Sequence, residues 1–189
     1  GKPPYSRLGD GRSVIRSSVR EHLCGEAMFG LGIPSSRSLM LFGSNEPVMR
    51  EETERGAMIV RTAKTHIRFG HFEYFHHNKI ADGVKTLLDH VIDCYYPNTK
   101  QDSDKYLLFL DATVKKTAHM VSAWQSVGFN HGVMNTDNMS ILGETFDYGP
   151  YAFMETYNPN YICNHTDSQG RYSFSNQPSI AEWNCYALA

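Results

Sequence analysis

Apolar positions along this chain fall into helical and strand-like runs punctuated by Gly and Pro. From Arg12 to Leu31 the pattern is helical, with Ile15, Val19, Leu23 and Ala27 recurring every four residues as one apolar face. Gly32-Ile33-Pro34 then stops the helix. Glu21 lies off that stripe, on a side shared with Val14 and Met28, which points to a second packing partner there. The runs Leu39 to Phe42 and Ala57 to Thr62 suit strands, with polar, acidic Asn45 to Gly56 as their hairpin connection. Thr65 to His77 carries Arg68 and several aromatic and His residues without a clear period, and is expected to be an ordered loop. Two helices follow. Ile80, Val84, Leu87, Leu88, Val91 and Ile92 stripe the first, which Pro97 ends; Leu107, Leu110, Val114, Ala118 and Val121 stripe the second, up to Gly128. Lys100 to Lys105 is the charged turn between them, and Trp124 and Tyr95 are expected in the core.

The texture changes at Asn130. From there to Gln177 the chain is rich in Asn, Asp, Gly, Tyr and Ser, and Met139 to Phe146 reads as two short strands around Gly143-Glu144. With 189 residues, 41% hydrophobic and 20% charged, the composition is that of a folded globular domain. The formal charge of −2 offers no basic field for nucleic acid, and no apolar run approaches the roughly 20 residues needed to span a bilayer. Cys24, Cys94, Cys163 and Cys185 are far apart, which favours a reduced, intracellular protein. The sequons at Asn138 and Asn164 carry meaning only on a secretory route. Gly1 to Tyr5 has neither an initiator Met nor a signal peptide's apolar stretch, and Trp183 to Ala189 reads as a helix just begun, so the chain is expected to be a piece of a longer protein. The His spacings match no closed zinc site, and no GxxxxGK supports a P-loop.

The segment that carries chemistry is His131-Gly132-Val133-Met134-Asn135-Thr136-Asp137-Asn138, followed after the expected hairpin by Asp147-Tyr148-Gly149-Pro150. A carboxylate and an amide oxygen at a hairpin mouth, Asp147 and Asn138, suit Mg²⁺, which takes oxygen ligands and keeps substrate phosphates and water. Asp137 is then available to accept a proton from an attacking hydroxyl. Taken singly, Asp and Asn cap turns routinely. In combination, Asp-Tyr-Gly resembles the kinase Asp-Phe-Gly, and Asn138 matches that fold's second metal ligand. Protein kinases place the base Asp a few residues earlier, where this chain has Val133, so an ordinary protein kinase is excluded.

Further blocks extend the likeness. Asp10-Gly11-Arg12, Arg16 to Glu21, Gly32-Ile33-Pro34, His66-Ile67-Arg68-Phe69-Gly70, His131 to Gly143, Asp147 to Pro150 and Cys163 to Phe174 resemble, in order and over essentially the whole chain, the SelO (YdiU) family of protein adenylyltransferases. The resemblance implies an α+β, partial protein-kinase-like fold, the end of an N-lobe (1–77, with the Arg-bearing loop) plus the core of a C-lobe (78–189), within one domain. It implies transfer of AMP from ATP, bound in a flipped orientation, to Ser, Thr or Tyr hydroxyls of proteins, with diphosphate released. Asp137 is then the proton acceptor, and Asn138 and Asp147 hold Mg²⁺ or Mn²⁺ with ATP. Asp10, Gly11, Arg61 and Arg68 contact the nucleotide, and Glu21 pairs with an N-lobe Lys. That Lys and a Gly-rich loop would precede Gly1, and Lys2 is not its equivalent. Residues 1–189 alone are therefore expected to bind ATP weakly and turn over slowly. The alternatives are a divergent kinase-like phosphotransferase, UMP transfer with Mn²⁺, or a non-catalytic nucleotide-binding pseudokinase. Bacterial cytoplasm is the expected location, with the mitochondrial matrix as the alternative.

Overall fold

The computed structural model describes residues 9–80 and 82–189; the Gly1 to Tyr5 segment, with Lys2, lies outside the described residues. The architecture is α+β, helices with small antiparallel sheets, and the chain divides into two compact units. One holds the residues up to Lys64 together with Asp147–Gly149, the other Thr65–Phe146 with Pro150–Ala189.

The first unit contains β1 (Ser13–Val14), α1 (Ile15–Gly30), β2 (Arg37–Met49) and β3 (Thr53–Thr62), in the antiparallel sheet order β1-β3-β2. Both expected strands exist and run longer than their apolar cores, closing a hairpin whose register pairs Arg37 with Thr62 and Met49 with Thr53. Pro47 cannot donate to a ladder, and it sits next to a register shift on β2, which has one strand neighbour. α1 ends where Gly and Pro dictated. Gly32 takes φ +74, and the Ile33 amide returns to the Met28 carbonyl at 2.9 Å.

The buried face of α1 differs from the expected stripe. Val14, Ser18, Gly25 and Met28 are buried, whereas Val19 is 38% and Leu23 60% exposed. The reason is angular. At 3.6 residues per turn, each four-residue step drifts by about 40°, so a strict every-four pattern spirals off any one face. The Val14–Met28 side, which carries Glu21, is the one that packs on the β2–β3 hairpin.

The second unit contains α2 (Phe69–His77), α3 (Gly83–Tyr95), α4 (Lys105–Ser126), β4 (Phe129–Asn130), β5 (Ala152–Phe153) and α5 (Gln177–Leu188). α2 replaces the expected loop. Phe69 and Phe72, one turn apart, bury their rings, and the interleaved polar His and Glu residues had hidden that period. Phe72 meets Phe109 of α4 at a centroid distance of 6.4 Å. α4 likewise turns a different face to the core: Phe109, Thr113, Thr117, Met120, Val121 and Trp124 are buried, while Leu107 is 65% and Val114 39% exposed. Two buried threonines disguised the true stripe as polar. Leu110, Val114 and Ala118 instead line an open apolar groove of about 620 Å³ with Pro178, Ala181 and Cys185 of α5. Trp124 is in the core as expected, its indole N–H donating to Thr145 Oγ1 at 2.8 Å, whereas Tyr95 is half-buried. Asp89 joins α3 to α4 through Lys85, Lys105 and the Tyr106 hydroxyl, contacts that hold its carboxyl well below the usual range.

Residues 139–146 form a compact turn rather than the expected pair of strands. The Gly143 amide returns to the Ser140 carbonyl at 3.2 Å, and Ser140 makes an isolated bridge with Arg68. Met139, Ile141 and Phe146 are fully buried, so the turn is anchored by side chains where a ladder is lacking. At Gly143, φ is +67 and an added Cβ would lie 2.8 Å from the backbone of Lys116. Backbone cannot step aside, so Gly143→Ala is expected to cost about 1–3 kcal/mol, read as a lowered midpoint in thermal or urea unfolding.

Candidate functional site

The polar segment from Asn130 is held by side-chain amides contributed from distant parts of the second unit, those of Gln177 and Asn184 fully buried. Gln177, at the start of α5, donates to the Phe129 carbonyl and accepts the His131 amide, both at 2.9 Å. Asn184 donates to Met134 O at 2.8 Å, and Asn164 to Gly132 O at 3.0 Å. The His131 ring is buried, accepting the Val133 amide at Nδ1 (3.4 Å) while Nε2 donates to Phe146 O at 3.0 Å. That pattern fixes its tautomer. It also ties the loop to the residue immediately before Asp147.

Thr136–Asn138 forms a single 3₁₀ turn. Asn138 donates its side-chain Nδ2 to Val133 O at 2.9 Å, which commits the nitrogen and turns Oδ1 the other way. Asp137 sits on α2. Arg68 Nη1 donates to the Asp137 carbonyl at 2.8 Å, and the guanidinium lies 4.7 Å from the Phe146 ring centroid. A Cβ placed on Gly70 would come within 2.2 Å of Asp137 Oδ1. Thr136 Oγ1 donates to the Glu73 carboxylate. Arg68, Asp137 and Asn138 are thus brought together in this unit. Gly70 and Glu73 were not anticipated, because their segment read as a loop.

In the first unit, Glu21, Arg61 and Asp147 converge. Arg61 Nη1 lies 3.2 Å from Glu21 Oε1 and donates to Asp147 Oδ1. Burial pulls the Arg61 pKa down, but the Asp147 and Glu21 carboxylates outweigh it and raise it overall. The resemblance gave Glu21 an N-lobe Lys as its partner; among the described residues Arg61 is a cation that meets it. Asp147 itself adopts φ +62, the left-handed region that an ordinary L-residue avoids. The next residue is anchored, since the Tyr148 hydroxyl meets Ser35 Oγ and its ring is buried. A strained backbone under an acidic side chain is characteristic of functional positions. Asp10 pairs with Arg50, at 2.8 and 3.1 Å, and accepts the Arg12 amide at 3.0 Å; together these hold its carboxyl down to about 2. Arg50 was another omission from the sequence reading. Gly11 adjoins Asp10 with φ +68, a conformation that glycine adopts without strain.

In the second unit Asn138, its nitrogen committed to Val133 O, leaves an amide oxygen, and in the first unit Asp147 carries a carboxylate; each is an oxygen donor of the kind Mg²⁺ takes. Among the described residues no group of three or more His, Cys, Asp or Glu gathers as a cage, and no helix is long and apolar enough to cross a membrane.

Fold and site together define an α+β protein in which Arg61 meets the Asp147 carboxylate in one unit and Arg68 holds the backbone of Asp137 in the other. A family model described as Protein adenylyltransferase SelO matches residues 1–189, and the chain belongs to that family. It is 58% identical over its whole length to a protein named Protein nucleotidyltransferase YdiU from Erwinia tasmaniensis, of which it covers 40%. The like-named protein of Vibrio cholerae is also 58% identical with 39% covered, and that of Burkholderia vietnamiensis 55% identical with 36% covered. The chain thus spans about two-fifths of the length of these curated relatives.

Proposed function

We propose that this chain is the partial kinase-like catalytic region of a protein adenylyltransferase that uses ATP, in the bacterial cytoplasm. Family membership supports the reaction class, and the relatives named above are bacterial. The observation that carries the residue assignment is Asp147, kept in a left-handed backbone conformation with its carboxylate on Arg61. Asp137 accepts the proton of a Ser, Thr or Tyr hydroxyl as its oxygen bonds to the α-phosphorus. The bond from that phosphorus to the bridging oxygen breaks, and diphosphate leaves with the electron pair. Arg61 and Arg68 offer guanidinium donors to phosphate oxygens and to the charge that grows on the departing group. Asp10 and Gly11 belong to the nucleotide's surroundings, and Glu21 is the helix glutamate that pairs with the family's N-lobe Lys, with Arg61 beside it. Asn138 and Asp147 would hold Mg²⁺ or Mn²⁺, which supplies charge neutralisation across the phosphates.

The position of the transferred label tests this. With ATP labelled at the α-phosphate, protein-bound label is expected, dependent on Mg²⁺ or Mn²⁺; with γ-label, none. The full-length Erwinia tasmaniensis relative is assayed in parallel, since residues 1–189 alone are expected to label slowly. Label from the γ-position in both proteins would establish a phosphotransferase instead. Nucleotide binding indifferent to metal, without transfer of either label, would establish a pseudokinase.

A further inference from the structure

We propose that Glu73 is a positioning residue for Asp137, acting through the hydroxyl of Thr136; this rests on the reading of Asp137 as the proton acceptor. The turn at 136–138 is too short to hold itself. Its backbone bonds are Asn138 N to Asn135 O at 2.9 Å and a longer Met139 N to Thr136 O at 3.3 Å, and one isolated 3₁₀ turn has little cooperativity. Its orientation therefore depends on what it leans against. That support is α2, through Arg68 on the Asp137 carbonyl, Gly70 beneath the Asp137 carboxylate, and Glu73 on Thr136.

Glu73 is the member of this set that touches the turn without touching Asp137. Its Oε2 accepts the Thr136 hydroxyl, and its Oε1 lies 3.4 Å from His77 Nε2 one helical turn on, so both oxygens are engaged. A hydroxyl-to-carboxylate bond is charge-assisted and stronger than a neutral one. Thr136 is β-branched and buried, so fixing its hydroxyl fixes χ1 and with it the rotation of the turn. The direction in which Asp137 points follows from that rotation. An ordinary surface carboxylate with an i,i+4 His partner would not reach across 63 residues of sequence to a buried hydroxyl.

The test uses residues 1–189 with Glu73→Ala, Thr136→Val and the double variant. Amide exchange of Asn138 and Met139, followed by NMR, is expected to quicken about 10-fold or more in each single variant, and no further in the double. Exchange within α4 should be unchanged. Transfer of α-labelled AMP at saturating ATP is expected to fall about 10- to 100-fold with the KM for ATP unchanged, because the base is displaced while the nucleotide contacts remain. Thr136→Ser, which keeps the hydroxyl, should recover most of the rate. Additive exchange effects in the double variant, unchanged exchange at Asn138 and Met139, or a KM that rises as far as the rate falls, would each overturn the proposal. If exchange responds as expected but neither the unsubstituted chain nor the full-length Erwinia tasmaniensis relative transfers AMP, the positioning contact stands and the adenylyltransferase reading fails.

Discussion

Gly70→Ala is expected to abolish most AMP transfer while leaving the fold intact. The new Cβ would come 2.2 Å from Asp137 Oδ1, 3.1 Å from its Cγ and 3.2 Å from its Cα. The tightest of these clashes is with a side-chain terminus, which escapes by rotating. The helix is spared, since Ala is the better helix former and Gly70 lies within α2. The carboxylate is what moves. Displacing a reacting group by about 1 Å costs about 100-fold in rate, and a rotated carboxylate moves further than that. The expected outcome is a loss of 100-fold or more in transfer of α-label, with an unfolding midpoint at or above that of the unsubstituted chain. A Gly70→Ala protein that transfers AMP normally would show that Asp137 is not the proton acceptor.

Asp147 carries the second large effect. Asp147→Asn keeps size, shape and tolerance of φ +62 but removes the charge that would face the cation. Loss of metal-dependent transfer by about 1000-fold is expected, in line with the several kcal/mol that a bound metal contributes to the transition state. Asp147→Ala should be equally inactive and less stable by about 1 kcal/mol, since a Cβ-bearing residue without a polar tip is poorly suited to the left-handed region. The contrast comes from Arg61. Its guanidinium now neutralises Asp147, each side chain being 25% exposed, so a cation entering there must displace it. Arg61→Gln is therefore expected to tighten Mn²⁺ binding without nucleotide by roughly tenfold, more than an exposed ion pair would give, and to weaken ATP binding. Electron paramagnetic resonance of Mn²⁺ and a nucleotide titration read the two directions separately. Both affinities falling together would mean that Arg61 supports the cation site rather than competing for it.

Much of this was legible in the residues, and the failures share a cause. The Gly32–Pro34 stop, the β2–β3 hairpin and the long α4 were all marked by turn residues or sustained apolar periodicity. α2 was missed because its two buried phenylalanines stand among His, Glu and Tyr, and nine residues give too few turns for a period to emerge. The strand pair after Asn138 was over-read. Met139, Ile141 and Phe146 bury their side chains singly within a turn, and a tight-turn sequence between apolar residues does not guarantee a partner strand.

By itself the sequence determined where elements stop, the order of the motifs, the family, and the residue types from which a phosphate and cation site would be built. Those are local or linear properties, written in adjacent side chains. Tertiary structure alone decided which face of α1 and α4 is buried, that Arg61 stands between Glu21 and Asp147, and that α2 supports the turn bearing Asp137. The Arg61–Asp147 contact joins residues 86 positions apart and the Arg68–Asp137 contact residues 69 apart. At such separations the partner of a charge is chosen by packing, because burial removes the water that would otherwise satisfy it, and no periodicity records that choice.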